Sequence, residues 1–171
     1  MSELIDFRKK KDAFFANHPQ SPLTRQQKRT FTGLEYFPEA PELRFELEVE
    51  PFSEQEPIQM QTSTGDVQEY ARFGKIRFPV GGQEAALTIY ADPNGYFLPF
   101  VDSLAGVDTY PAGRYLEPVA LPGGKFLVDF NLAYNPYCAY NDLWSCPLTP
   151  FENRLRVPIR AGEKIYTAHK P

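Results

Sequence analysis

Between residues 42 and 50 the chain alternates without a break: Leu43, Phe45, Leu47 and Val49 are apolar, while Arg44, Glu46, Glu48 and Glu50 are charged. A period of two puts alternate side chains on opposite faces of an extended strand, so this stretch has to bury one face and wet the other. The segments that follow keep the same rhythm. Ile58, Met60 and Thr62 suggest a second strand, and the turn Ser63-Thr64-Gly65-Asp66 leads into a polar strand reaching Ala71, which makes a hairpin. Ile76, Phe78 and Val80 alternate again before Gly81-Gly82 turns the chain into residues 85–91, and Asp92-Pro93-Asn94-Gly95 leads to an apolar strand over 96–101. Phe126, Val128 and Phe130 share one face of a later strand with Asp129 on the other; Leu155 and Val157 begin a last short strand that continues after a turn into 161–166. The helix-length crossovers that a parallel sheet requires are missing, so the expected fold is mainly β, a small antiparallel β barrel or barrel-like sandwich.

Ahead of this β core, residues 3–17 place Leu4, Phe7, Phe14 and Phe15 near one helical face, with His18-Pro19 as a stop. This N-terminal helix is expected to pack on a β core of about 42–166, and Thr24 with Gln27 forms a capping box for a second, short helix. A chain of 171 residues suits a single domain spanning 1–171. Its net charge of -4 gives no general attraction to nucleic acid or to an anionic membrane. The first residues lack the apolar run of a signal peptide, and nothing approaches the ~18 apolar residues that a membrane span needs. The expectation is a cytoplasmic monomer or small homo-oligomer whose two cysteines are reduced.

The densest polar stretch runs from Asp102 to Glu163, centred on residues 129–140 and followed by Cys146-Pro147-Leu148. Two asparagines, several tyrosines and two cysteines so close together read as a structured loop whose polar groups have assigned partners. Arg114 beside Gly113 offers a planar donor fork that suits a carboxylate or phosphate, or else a brace to Asp102 or Asp129. Asn131, Asn135, Tyr134 and Tyr140 are candidates for ligand contact, each with loop packing as the alternative. Asp129, Glu163 and Cys138 are the candidate catalytic groups, as acid, base or nucleophile, and Asp102, Asp129 and Glu163 would serve a hard metal only if the fold brought them together. A zinc site would need His18 and His169, near opposite ends of the chain, to meet Cys138 and Cys146, so no metal is expected. Neither a phosphate loop, a dinucleotide fingerprint nor a serine nucleophile elbow occurs.

Across Ser21-Pro22-Leu23, residues 31–37, Asp102, residues 109–116, Asp129-Phe130-Asn131, Ala133-Tyr134-Asn135-Pro136, Cys138-Ala139-Tyr140, Cys146-Pro147-Leu148, Glu152-Asn153-Arg154-Leu155 and Ala161-Gly162-Glu163-Lys164, the chain resembles a bacterial family known only as a domain of unknown function, number 1684. Pro111 stands where relatives are expected to carry a small residue such as glycine. The resemblance implies membership and brings no reaction, cofactor or catalytic residue. From the residues themselves the leading expectation is a small-molecule binding protein that recognises an anionic metabolite. The alternatives are an enzyme acting on such a metabolite by acid–base or cysteine chemistry, and a structural or interaction protein. No cofactor is assigned; a flavin enters only by analogy with small β barrels that host one.

Overall fold

The computed structural model describes residues 3–166. In chain order its elements are helices α1 (Glu3–Asn17) and α2 (Arg25–Thr30), then strands β1 (Arg44–Glu48), β2 (Glu50–Pro51), β3 (Pro57–Gln61), β4 (Val67–Val80), β5 (Gln83–Asp92), β6 (Gly95–Phe100), β7 (Arg114–Leu116), β8 (Val119–Ala120) and β9 (Lys125–Asp129). The alternating stretch forms β1 and pairs antiparallel with β9, Phe45 opposite Val128 and Leu47 opposite Phe126. With β8 on its far side, β9 is the centre of a three-stranded sheet. The other sheet runs β2-β4-β5-β6-β7, with β3 also on β4.

Both hairpins expected in the region 58–91 form, yet they share one strand. Residues 67–71 and 76–80 are two ends of the continuous β4, whose register shifts between Arg72 and Gly74. A Cβ on Gly74 would lie 2.6 Å from Val49 Cγ1 and 2.8 Å from the Glu50 carbonyl oxygen, so the close approach of β2 requires glycine here. The bulge bends β4 and lets it serve β3 with one half and β2 near its middle.

Apolar faces of the two sheets meet. Ile76, Phe78, Leu87 and Ile89 of the larger sheet pack in one cluster with Phe126 and Val128 of the smaller and with Phe130 just beyond it. Phe78 lies 5.1 Å from Phe130 and 5.5 Å from Phe45, ring centre to ring centre, and Phe73 lies 5.7 Å from Phe126. Among the described residues no strand pairing joins the sheets, so the architecture is a barrel-like sandwich with an N-terminal helix and not a closed barrel.

The last strand expected from Leu155 does not form. Leu155 N–H bonds to the Val101 carbonyl (2.7 Å) and Ser103 N–H to the Val157 carbonyl (3.0 Å), but the carbonyls of Ile159, Ala161 and Glu163 turn to a side chain, Arg114. Carbonyls spent on a side chain are not available to a ladder.

Helix α1 meets the rest of the chain through a mixed set of contacts. Phe15 is its one buried residue, in a cluster with Leu23 and Tyr140. The polar side contributes as much: Arg8 Nη1 donates to the Phe37 carbonyl (2.9 Å), Asp12 Oδ1 accepts from Leu34 N–H and the Tyr36 hydroxyl (3.1 Å each), and Lys11 pairs with Glu163. The capping box at α2 is present, Gln27 N–H to Thr24 Oγ1 at 3.1 Å and Thr24 N–H to Gln27 Oε1 at 2.9 Å. Among the described residues no helix is long and apolar enough to cross a membrane.

Candidate functional site

Gly113 prepares β7 by adopting φ +101° with its α-carbon against the Phe100 carbonyl and Thr149, a place with no room for a Cβ. The next residue, Arg114, is therefore driven inward and is only 1% exposed. Its Nη1 donates to the carbonyls of Ala161 (2.5 Å) and Glu163 (3.0 Å), its Nη2 donates to that of Ile159 (2.9 Å), and Asp102 Oδ2 lies 3.6 Å from Nη2. Asp102 is held in turn by the Thr109 hydroxyl (2.7 Å) and Ile159 N–H (2.8 Å). Burial draws the Arg114 guanidinium down to about 10, with Asp102 and Glu163 opposing that shift, so it is charged at neutral pH. The donor fork, suited either to a ligand anion or to a brace on Asp102 or Asp129, is taken up by the backbone of 159–163 with Asp102 beside it.

Glu163 is nearly as enclosed, 2% exposed, and its carboxylate takes Lys11, the Tyr140 hydroxyl (2.7 Å) and Asn135 N–H (3.2 Å). Asn135 Nδ2 reaches the Lys164 carbonyl (2.9 Å), while its Oδ1 is buried with no partner among the described residues. Asn131 behaves as one more strand residue would. Its Oδ1 accepts from Ala40 N–H (2.8 Å), and its Nδ2 donates to the Ala40 carbonyl (2.9 Å) and to Asp129 Oδ1 (2.9 Å). Asn153 makes the same two-way pairing with the backbone of Thr88 (2.8 Å each way).

A largely apolar cavity lies elsewhere, between α1, the outer face of the β8–β9 edge and the loop 134–146. It has a volume of about 790 Å³ and is walled chiefly by apolar groups: Phe7 and Phe14 of α1, Val119 and Leu127 of the smaller sheet, and Tyr137 and Trp144 of the loop. Of the nine candidate residues, Asp129 and Tyr134 line it. Arg114, Asp102, Asn131, Asn135, Tyr140, Glu163 and Cys138 are not among its walls. The charged groups at the cavity come largely from residues that sequence reasoning passed over. Lys10 is exposed and has no carboxylate partner among the described residues, whereas Lys11 is committed to Glu163 and sits over the Tyr134 ring at 5.0 Å. Glu117 accepts from the Tyr134 hydroxyl (2.6 Å), and Asp129 is occupied by Asn131 N–H (3.0 Å) and by Asn131 Nδ2. Burial first, then the bond to Glu117, pushes Tyr134 well above its ordinary range and keeps it a neutral donor. The sequence carried no signal for the cavity: Phe7 reads as one more apolar helix position, and only in the fold is it left 44% exposed.

Cys138 and Cys146 are free and adjacent. Cys138 N–H donates to Cys146 Sγ (3.3 Å), and the Tyr110 hydroxyl is 3.6 Å from Cys138 Sγ. Among the described residues no group of three or more His, Cys, Asp and Glu could hold a metal ion. His18 accepts from Gln20 N–H at Nδ1 (3.0 Å) and stacks on Phe14; His169 lies outside the described residues.

Residues 29–164 match the family model described as protein of unknown function, DUF1684. No curated protein matches the chain. Among solved structures the chain is similar to the solution NMR structure of an uncharacterised protein from gene locus rrnAC0354 of Haloarcula marismortui. The two share 37% identity over 95% of this chain and 92% of that one, with a TM-score of 0.71.

Proposed function

The chain belongs to the DUF1684 family of proteins of unknown function, and we propose that it is a small-molecule binding protein whose ligand has an apolar body and an anionic end. One observation carries this reading: the cavity of about 790 Å³ beneath α1, within the size range of ligand sites and walled mainly by apolar side chains with few polar ones. The apolar body would lie against Phe14, Leu127 and Trp144. The anionic end would meet Lys10, the cation there that has no internal partner among the described residues. Glu117 and Asp129 face the same space, and their negative charge sets the orientation of such a ligand, with its charged end toward the helix. A cytoplasmic setting is part of the proposal, since it would keep the two free cysteines reduced.

Trp144, the single tryptophan of the chain, lines the cavity and reports on its contents. Decanoate and the neutral decanol, titrated against its fluorescence and by calorimetry, test the reading. Both are expected to bind. Lys10→Glu should weaken decanoate about five- to tenfold, as a partly exposed ion contact worth ~1 kcal/mol would, and leave decanol unchanged. Val119→Phe with Leu127→Phe, which face each other across β8 and β9, should obstruct both ligands. Titrations in which neither compound binds, or in which the double variant binds as the wild type does, would refute the proposal.

A further inference from the structure

Two thiols held against each other by the fold are unusual in a chain with only two cysteines, and here the whole loop is arranged to keep them so. Cys138 sits in a short 3-10 turn, Tyr137–Ala139. Cys146 is fixed from the other side: its N–H donates to Ser63 Oγ (3.1 Å), its carbonyl accepts from Ser63 N–H (2.9 Å), and its sulfur receives the Cys138 N–H (3.3 Å). The intervening segment is pinned to the N-terminal region, with Asn141 Nδ2 and Trp144 Nε1 both on the Pro22 carbonyl (2.7 and 3.2 Å). Each cysteine is 7% exposed, and Cys146 forms part of the cavity wall.

We infer that Cys138 and Cys146 are a redox pair, which a hydroperoxide oxidises to an intramolecular disulfide, Cys138 being the sulfur that attacks and Cys146 the one that resolves. The roles follow from the surroundings. The Tyr110 hydroxyl lies 3.6 Å from Cys138 Sγ, within reach to donate to it, and a donor there favours a thiolate. The hydrogen bond from the Cys146 thiol is the largest influence and outweighs burial, so the Cys138 thiol is lowered, while the same bond and burial raise Cys146. Burial also raises Tyr110, which therefore stays protonated and keeps donating.

The steps balance. The Cys138 thiolate attacks one peroxide oxygen; an S–O bond forms, the O–O bond breaks, and the departing hydroxide takes a proton to leave as water, giving a sulfenic acid on Cys138. The Cys146 thiol then loses its proton and its sulfur attacks Cys138; the S–S bond forms, the S–O bond breaks, and a second water leaves. Two electrons pass from the dithiol to the peroxide. A small thiol restores the pair by exchange and is itself oxidised to its disulfide.

The test uses the full chain, reduced and freed of reductant, with equimolar hydrogen peroxide and no cavity ligand. The wild type is expected to lose both titratable thiols, to drop in mass by two hydrogens, to remain a single chain on a non-reducing gel, and to recover with dithiothreitol. Cys146→Ser should stop at a sulfenic acid that dimedone traps. Cys138→Ser should lose its remaining thiol more slowly than the wild type loses Cys138. Substoichiometric iodoacetamide on the folded wild type, which needs no variant to fold, should label Cys138 before Cys146. Persistence of both thiols under peroxide that oxidises free cysteine, disulfides formed between chains, or labelling of Cys146 first would each overturn the inference. No cavity ligand enters these readouts, so their failure is separate from failure of the binding proposal.

Discussion

Removing the Arg114 guanidinium should damage the fold and leave ligand recognition alone. Arg114→Met preserves the apolar stem but leaves the carbonyls of Ile159, Ala161 and Glu163 without their donor, and Asp102 without the cation 3.6 Å away. Removing one side of a buried ion pair costs ~3–5 kcal/mol, and the hydrogen bonds from a charged donor, ~1.5–3 kcal/mol each, overlap with that figure and do not add to it. About 4 kcal/mol is the working value. Urea unfolding followed by Trp144 fluorescence should then show the midpoint falling by roughly 2 M, for a slope of ~2 kcal/mol per molar. Arg114→Lys tests the geometry. A single ammonium keeps the charge but cannot span carbonyls at 159, 161 and 163 as the planar fork does, so at least one stays unpaired at ~1–3 kcal/mol. The lysine variant should therefore unfold between the wild type and the methionine variant, and, while folded, bind decanoate as the wild type does. A lysine variant with the wild-type midpoint and lost decanoate binding would refute this account and restore Arg114 to the site.

Two further perturbations probe the frame. Burial raises the Glu152 carboxyl, but hydrogen bonds from Arg72 (2.7 and 3.1 Å) and from the Tyr90 hydroxyl outweigh it, so its folded value lies below the ordinary 4.5. The unfolded chain then binds its proton more readily. The stabilisation is complete above the unfolded value and is lost as pH falls through the folded one, so thermal melting of Glu152→Gln should converge on the wild type as pH falls below the ordinary carboxyl range; a gap that does not narrow would contradict this. Gly162 has φ +78°, and a Cβ there would lie 2.7 Å from the Ala133 carbonyl oxygen and 2.8 Å from that of Phe130. Gly162→Ala should cost more than the ~1–3 kcal/mol of left-handed strain alone, whereas Gly65→Ala, with φ +87° and open space, should cost no more than that strain, a ranking readable from melting temperatures.

The strands were legible because their information is local. Alternation from 43 to 50 fixed which faces of β1 were wet, and Gly81-Gly82 marked the β4–β5 turn, with Val80 opposite Gln83 as a two-residue hairpin connection requires. Where local reading failed, a distant partner had taken over. Residues 155–166 carry enough apolar positions for a strand, but three of their carbonyls answer to Arg114, 45 to 49 positions earlier in the chain. The two strands read on either side of residue 73 are one, because Gly74 admits a crossing neighbour where other residues would break the ladder.

The site was harder for a related reason. A polar residue in a sequence announces that it needs a partner without saying whether that partner is a ligand or the chain itself. Asn131 finds the backbone of Ala40 at a separation of 91 residues, and Glu163 finds Lys11 at 152, so the polar residues that stood out most were those the fold had already satisfied. A ligand cavity leaves the opposite trace, apolar surface that the fold has not covered. Phe7 and Phe14 occur in the same helical pattern whether they face a core or a void; only the position of α1 over the β8–β9 edge decides which. That position depends on Lys11, since the ion pair with Glu163 ties the helix to the chain segment that Arg114 gathers. Arg114 thus supports a wall of the cavity without lining it, so its loss is expected to show in the stability of the fold while the folded protein keeps that wall in place.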